Sequence, residues 1–306
     1  MELISYACDV ELMGCSYLDK DDKNLKNIIK NFPHFTYSIN IQDDIFGYYI
    51  HKNEPLSKIY NFDVFMVDFL FSSVSRLHTD EQERIMTQLL NEVKKHIKNN
   101  KGYYNFRVPS HIVDLNKSFN KIFSSFIFCG GLITYLNAKC EKRNLGENKN
   151  EISVFSPNKK YLDEHNMEIT QVAKDAFHNY QGQYHISYIT AEKAGDIYTD
   201  WVKKGFSERQ DSEKIILAEY RDELVGFWTY TEEAKSIQTG LTGVSSKYRN
   251  LGIYSNMLKV VLNESLSKNK FITIGTQFDN LIVQRAWNKV GMVPYLSYFN
   301  IHIDGR

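Results

Sequence analysis

Two hydrophobic periods alternate along this chain, and the switches between them mark out its elements. Ile85, Leu89, Leu90, Val93 and Ile97 recur at helical spacing. They predict a helix over 79–98, with Thr79 as N-cap, Gln82 three residues on, and Asn99, Asn100 and Gly102 as the stop. The dense apolar run 62–71 before it reads as a buried strand, and 103–108 after it as another. A short helix over 113–123 and a strand over 131–137 follow. The second half opens with helices over 169–177 and 191–204. In the latter, Ala194, Ile197, Tyr198, Trp201 and Val202 share a face, and Gly205 is expected as C-cap. Strands are expected over 215–220 and 224–232, with Arg221-Asp222-Glu223 as a hairpin turn, and over 236–245. A helix over 252–268, a strand over 271–276, a helix over 280–290 and a closing strand over 295–303 complete the order.

This order is of the mixed α/β class. Each half carries an apolar strand, a long helix, a strand, a short helix and a final strand, so a tandem duplication is a hypothesis from pattern alone. The most polar stretch between apolar segments runs from Lys139 to Asn150. It places a boundary between a domain over 1–148 and a second over 149–306. Ser156-Pro157-Asn158 just beyond it reads as a turn. At roughly 100–200 residues per domain, 306 residues suit two.

Composition narrows the function classes. Hydrophobic residues make up 42%, enough for ordinary cores rather than disorder. Lys and Arg together number 37, as do Asp and Glu, so no global basic field points to nucleic acid or an anionic membrane. No apolar run reaches the roughly 18–20 residues that span a bilayer. The start of the chain lacks a basic segment before an apolar one, so no secretion signal is expected. Cys8, Cys15, Cys129 and Cys140 form no CxxC pair, which favours free thiols in a reducing cytoplasm over disulfides or a metal site.

The stretch that carries chemistry is Val244-Ser245-Ser246-Lys247-Tyr248-Arg249-Asn250-Leu251-Gly252-Ile253-Tyr254. A strand ends, a polar turn follows and a helix begins. That geometry aims several backbone N–H groups and the positive end of a helix dipole at one point, a site suited to a diphosphate. Gly252 admits a phosphate close to the backbone; taken alone, it could equally be a tight turn. A second block runs from Asn280 through Gln284, Ala286 and Trp287 to Gly291 and Met292, with a helix and a strand between the blocks.

The first block resembles the acetyl-CoA signature of the GNAT (Gcn5-related N-acetyltransferase) superfamily, Arg/Gln-x-x-Gly-x-Gly/Ala, with Arg249 and Gly252 in place and Tyr254 where a small residue is usual. The second resembles the Asn-x-x-x-x-x-Ala-x-x-Tyr helix of that superfamily. The resemblance implies a mixed central sheet of GNAT type in the C-terminal half, with acetyl-CoA as acyl donor and a small-molecule amine as acceptor. It implies cofactor contacts from Thr242, Val244, Arg249, Asn250, Leu251, Gly252, Ile253, Tyr254, Asn280 and Trp287. Main-chain groups of Thr242 and Val244 would pair with the pantetheine arm like an added strand. Asn280 would cap its helix and also reach the cofactor. Trp287 stands where relatives carry a proton-donating tyrosine, and an indole N–H can donate a hydrogen bond but not its proton.

More diffuse features are similar to sugar-nucleotide N-acetyltransferases of the TDP-fucosamine acetyltransferase type: Phe62-Asp63-Val64-Phe65, Phe128-Cys129-Gly130-Gly131, the 194–202 helix face and Ser297-Tyr298-Phe299-Asn300-Ile301-His302. They imply a degenerate GNAT-like N-terminal domain, a nucleotide-linked amino-deoxy sugar as acceptor and a role in polysaccharide biosynthesis. A homodimer is compatible with that resemblance. Tyr184, His185 and Gln277 are then expected near the acceptor. His185, His178 and His302 are candidate bases, with Glu232 and Glu233 more simply read as solvated. Tyr254, Tyr295 and Tyr298 are candidate acids, and the N–H of Val244 or Ser245 a candidate donor to the carbonyl oxygen. Two other readings stay open: a GNAT enzyme acting on a peptide, antibiotic or polyamine, and a non-catalytic CoA-binding protein.

Overall fold

The computed structural model describes residues 35–41, 44–71, 78–110, 114–137, 151–178, 191–207, 213–234 and 236–306. It divides into two compact units, Met1–Ile133 with Tyr295–Arg306, and Thr134–Pro294.

In the first unit, β1 (Tyr37–Ile41) and β2 (Asp44–Lys52) pair antiparallel. Helix α1 (Glu54–Tyr60) leads to β3 (Val64–Phe71), antiparallel to β2. Helix α2 (Thr79–Asn99) then crosses over to β4 (Tyr103–Pro109), parallel to β3. Helix α3 (Leu115–Ile122) and β5 (Ile127–Leu136) follow. Strand pairs place Tyr48, Phe69 and Phe106 on one sheet face. There they form a core with Ile85, Leu89, Val93 and Ile97 of α2 and Phe119 of α3. Burying each such side chain contributes about 1.5–3 kcal/mol. The helix over 79–98 is therefore present, but its N-cap is His78 and no side chain caps it. The His78 carbonyl instead accepts from the N–H groups of Glu81 and Gln82.

The second unit opens with β6 (Ile152–Phe155) and the helices α4 (Lys159–Glu164) and α5 (Asn166–Ala176). Asn158, read as part of a turn, caps α4 by accepting from Tyr161 N–H at 2.8 Å. Helix α6 (Ala191–Ser207) runs through Gly205, which is therefore not a C-cap. Strands β7 (Glu213–Tyr220), β8 (Glu223–Glu232) and β9 (Ser236–Val244) form an antiparallel meander with β6 at its edge. Arg221 and Asp222 both take left-handed conformations, φ 52° and 63°, as a tight two-residue hairpin requires. Helix α7 (Ile253–Ser267) crosses over to β10 (Phe271–Gln277), parallel to β9. Helix α8 (Leu281–Lys289) leads into β11 (Val293–Asp304).

The division differs from a boundary at 148/149 in two places: the second unit begins at Thr134, and the closing strand falls in the first. β11 lies antiparallel to β4, from Tyr298 opposite Pro109 to Asp304 opposite Tyr103. Residues 295–306 therefore complete the first unit, together with Tyr295, Tyr298 and His302. Among the described residues no helix is long and apolar enough to cross a membrane, and no His, Cys, Asp and Glu group could hold a metal ion. Cys129 is free, and burial pushes its thiol up to about 11; the other three cysteines lie outside the described residues.

Candidate active site

The site grows from one strand end. Ser245 N–H donates to the Val225 carbonyl at 2.8 Å. Hydrogen-bonded and non-hydrogen-bonded pairs alternate along an antiparallel ladder. Gly243 and Phe227 are then a bonded pair, while Thr242 opposite Trp228 and Val244 opposite Gly226 are not. The main-chain groups of Thr242 and Val244 therefore point to the other edge of β9. Among the described residues that edge is open, for the parallel ladder with β10 covers only Ser236, Ile237 and Gln238. The ladder thus stops short where the GNAT resemblance implies a strand-like ligand. Ser245, by contrast, has its N–H already engaged and leaves Val244 as the strand-end donor.

Beyond Val244 the chain makes a 3-10 turn over Ser246–Tyr248. Asp175, at the end of α5, clamps it: its carboxylate accepts from Ser246 N–H at 2.7 Å and from Ser246 Oγ at 2.9 Å. Burial raises the Asp175 pKa, but the hydrogen bonds from Ser245 and Ser246 and the charge of Arg249 outweigh it and hold the carboxyl below its usual range. Arg249 Nη2 donates to the Ala176 carbonyl at 3.2 Å, so the guanidinium braces the same junction. Gly243 permits the approach; a Cβ there would lie 2.8 Å from the Cβ of Ala176.

Asn250 and Gly252 are left-handed, φ 68° and 85°. Gly252 is the N-cap of α7, which has no side-chain cap and no acidic residue in its first turn. Among the described residues no acceptor takes the N–H groups of Asn250, Leu251, Gly252 or Ile253. Among the described residues a Cβ on Gly252 would find only Asn256 Nδ2, at 4.0 Å. Free N–H groups, an uncapped helix dipole and an open approach are what an anion needs. The Ile253 side chain is buried, so only its backbone is available there.

The Tyr254 side chain turns away from this loop. It stacks on Trp228 at 5.3 Å between ring centroids, and its hydroxyl accepts from Trp287 Nε1–H at 2.7 Å. Trp287 is buried, edge-on to Tyr135 at 5.1 Å. Burial raises the Tyr254 pKa, against a smaller lowering by the Trp287 bond. Because the indole occupies a lone pair, the phenol keeps its own proton to donate.

Asn280 precedes α8 but makes no side-chain cap bond; its Nδ2 donates to Thr276 Oγ1 at 2.9 Å. The Gln277 carbonyl accepts from Asn280 N–H at 3.1 Å. Glu232 and Glu233 are not near the turn, since Glu232 pairs with Ile237 at the far end of β9. Glu232 accepts from Lys268 and Lys270, both at 2.8 Å, and those bonds hold its carboxyl low. His302 bonds Tyr103 in the first unit, and His178 is exposed. Tyr184 and His185 lie outside the described residues. Asp175, Trp228 and Tyr135 carry no local signal that marks them; the loop clamp joins residues 71 apart in sequence.

Residues 168–292 match the model of the acetyltransferase (GNAT) family. That segment has a GNAT-like fold. A GCN5-related N-acetyltransferase from Sphaerobacter thermophilus shares the fold, with a TM-score of 0.59 at 12% identity over 99% of this chain and 93% of that one. A functionally unknown conserved protein from Staphylococcus epidermidis ATCC 12228 does so with a TM-score of 0.54 at 13% identity, over 90% of this chain and 97% of that one. No curated protein sequence matches the chain. The turn, the uncapped α7 and the short β9–β10 ladder all lie within the GNAT segment.

Proposed function

We propose that this chain is an N-acetyltransferase that moves the acetyl group of acetyl-CoA onto a primary amine. The observation that carries the reading is the uncapped start of α7 at Gly252, with unengaged N–H groups beside the open edge of β9. The backbone from Asn250 to Ile253 would hold the diphosphate, and Thr242 and Val244 the amide groups of the pantetheine arm. When bound, acetyl-CoA supplies an activated thioester carbonyl carbon.

The amine nitrogen attacks that carbon, the C–S bond breaks, and the sulfur leaves with the bonding pair. Val244 N–H would donate to the carbonyl oxygen as it gains charge. The Tyr254 hydroxyl, held by Trp287, supplies a proton to the departing sulfur, and the reading assigns Asn280, at the start of α8, as a further polar contact. On the acceptor side the reading assigns Tyr184, His185 and Gln277, with His185 as the base that takes the amine proton. An ammonium with a pKa of about 8–9 needs only a weak base or a water, so positioning supplies much of the acceleration.

For the acceptor, the sequence likeness to sugar-nucleotide N-acetyltransferases favours a nucleotide-linked amino-deoxy sugar. The first unit is then a degenerate GNAT-like domain, and the product feeds glycan assembly. Free thiol release from acetyl-CoA against a panel of amino-sugar nucleotides, peptides and polyamines tests the reading. Thiol release with amino-sugar nucleotides supports it. Release with peptides or polyamines alone would move the acceptor, and CoA binding without any release would leave a binding protein.

A further inference from the structure

Strands β8 and β9 change register part-way along their ladder. Trp228 stands opposite Thr242, but Tyr230 stands opposite Thr239. Between these pairs β9 has two residues, Gly240 and Leu241, where β8 has one, Thr229. Two residues against one make a β-bulge, which bends its strand and sharpens the local twist.

The bulge falls where the β9–β10 ladder ends. Among the described residues that ladder runs through Ser236, Ile237 and Gln238 and stops. Both strands go on, β9 to Val244 and β10 to Gln277. The two strands therefore part where β9 bends.

The extra residue also decides which main-chain groups face the gap. Without it, Thr242 would stand opposite Phe227, and Gly243 opposite Gly226. The hydrogen-bonded position would pass from Gly243 to Thr242. The N–H and C=O groups of Thr242 and Val244 would then turn to β8, and those of Gly243 to the gap.

The Thr229 side chain holds the bulge in place. Its Oγ1 accepts from Leu241 N–H at 2.8 Å and donates to the Leu241 carbonyl at 3.2 Å. One hydroxyl thus engages both main-chain groups of a bulge residue. A valine of the same shape could do neither. Gly240 is fitted to this contact, since a Cβ there would lie 2.6 Å from Thr229 Oγ1. Any side chain at that position displaces the hydroxyl.

We propose that Thr229 is a positioning residue: it pins the β9 bulge and so keeps the main-chain groups of Thr242 and Val244 turned to the pantetheine arm of acyl-CoA. The inference rests on the acyl-CoA reading of the second unit, and Thr229 acts through the backbone of β9.

Isothermal titration with two ligands tests it: CoA, and adenosine 3′-phosphate 5′-diphosphate, the half of CoA that lacks the pantetheine arm. Thr229→Val is expected to raise the Kd for CoA about tenfold and to leave that of the nucleotide half within about twofold. The diphosphate loop is held separately, by Asp175, and does not need the bulge bonds. Thr229→Ser keeps the hydroxyl and is expected to bind both ligands as the wild type does. Gly240→Ala keeps Thr229 but crowds its hydroxyl, and is expected to reproduce the selective loss. Gly240 is exposed, so this variant decides the matter should Thr229→Val fail to fold. Unchanged CoA affinity in either folded variant, or equal losses for both ligands, would overturn the proposal. Wild-type protein that binds neither ligand would overturn the acyl-CoA reading, and this inference with it.

Discussion

Substituting Gly252 separates two roles of that residue. Its φ of 85° and ψ of 5° lie in the left-handed region, where an L side chain costs about 1–2 kcal/mol. A Cβ meets only Asn256 Nδ2, at 4.0 Å, so no clash adds to that cost. Gly252→Ala is therefore expected to lower the melting temperature by roughly 2–8 °C. Gly252→Trp carries the same backbone cost and also fills the approach to the N–H groups of Leu251, Gly252 and Ile253. Each hydrogen bond from these groups to a phosphate oxygen contributes about 1.5–3 kcal/mol. Losing two raises the Kd for CoA at least about a hundredfold. Isothermal titration with CoA, beside circular dichroism of each variant, makes the comparison. An unchanged Kd in folded Gly252→Trp would refute the phosphate assignment. Equal weakening by Ala and Trp would show that loop conformation, not open access, is at work.

Four further outcomes follow from the geometry. Trp287→Phe removes the 2.7 Å donor to Tyr254, and Tyr254→Phe removes the hydroxyl itself; both are expected to lower kcat with CoA affinity retained, and a full kcat in Tyr254→Phe rules the phenol out as proton donor. Asp175→Ala frees Ser246 N–H and Oγ from their clamp and is expected to weaken CoA binding several-fold, which direct titration checks. His185→Ala is expected to reduce turnover more than cofactor affinity; equal turnover removes it from the acceptor site. Burial lowers the His302 pKa to about 4, below its unfolded value of about 6.5. Between those values the unfolded chain binds the extra proton, so stability present above pH 6.5 falls as pH drops toward 4. The full effect is about 3 kcal/mol, and chemical denaturation of His302→Gln should show a flatter pH dependence over that window.

Local pattern carried the periodic elements. The α2 stripe and the hairpin at Arg221-Asp222 are where their residue types place them, within a residue or two. The signature at Arg249 and Gly252 marked the loop because backbone conformation there is dictated by single residues. What the pattern could not reach is pairing over distance. Nothing near Asp175 says that it holds Ser246, and nothing in 293–304 names β4 as its partner. A strand's alternation fixes its faces but not its neighbour. Capping failed for a similar reason: Thr79 and Asn280 have capping side chains, but a backbone carbonyl and Thr276 are the groups engaged.

The pairing of β11 with β4 has a consequence for biosynthesis. Tyr103 and His302 meet across 199 residues of sequence, so the first unit cannot close its sheet until the last strand has been translated. Until then the ribosome holds a chain whose β4 edge is bare, and bare edges invite pairing with other nascent chains. Stopping the message after Pro294 should leave that edge permanently unsatisfied.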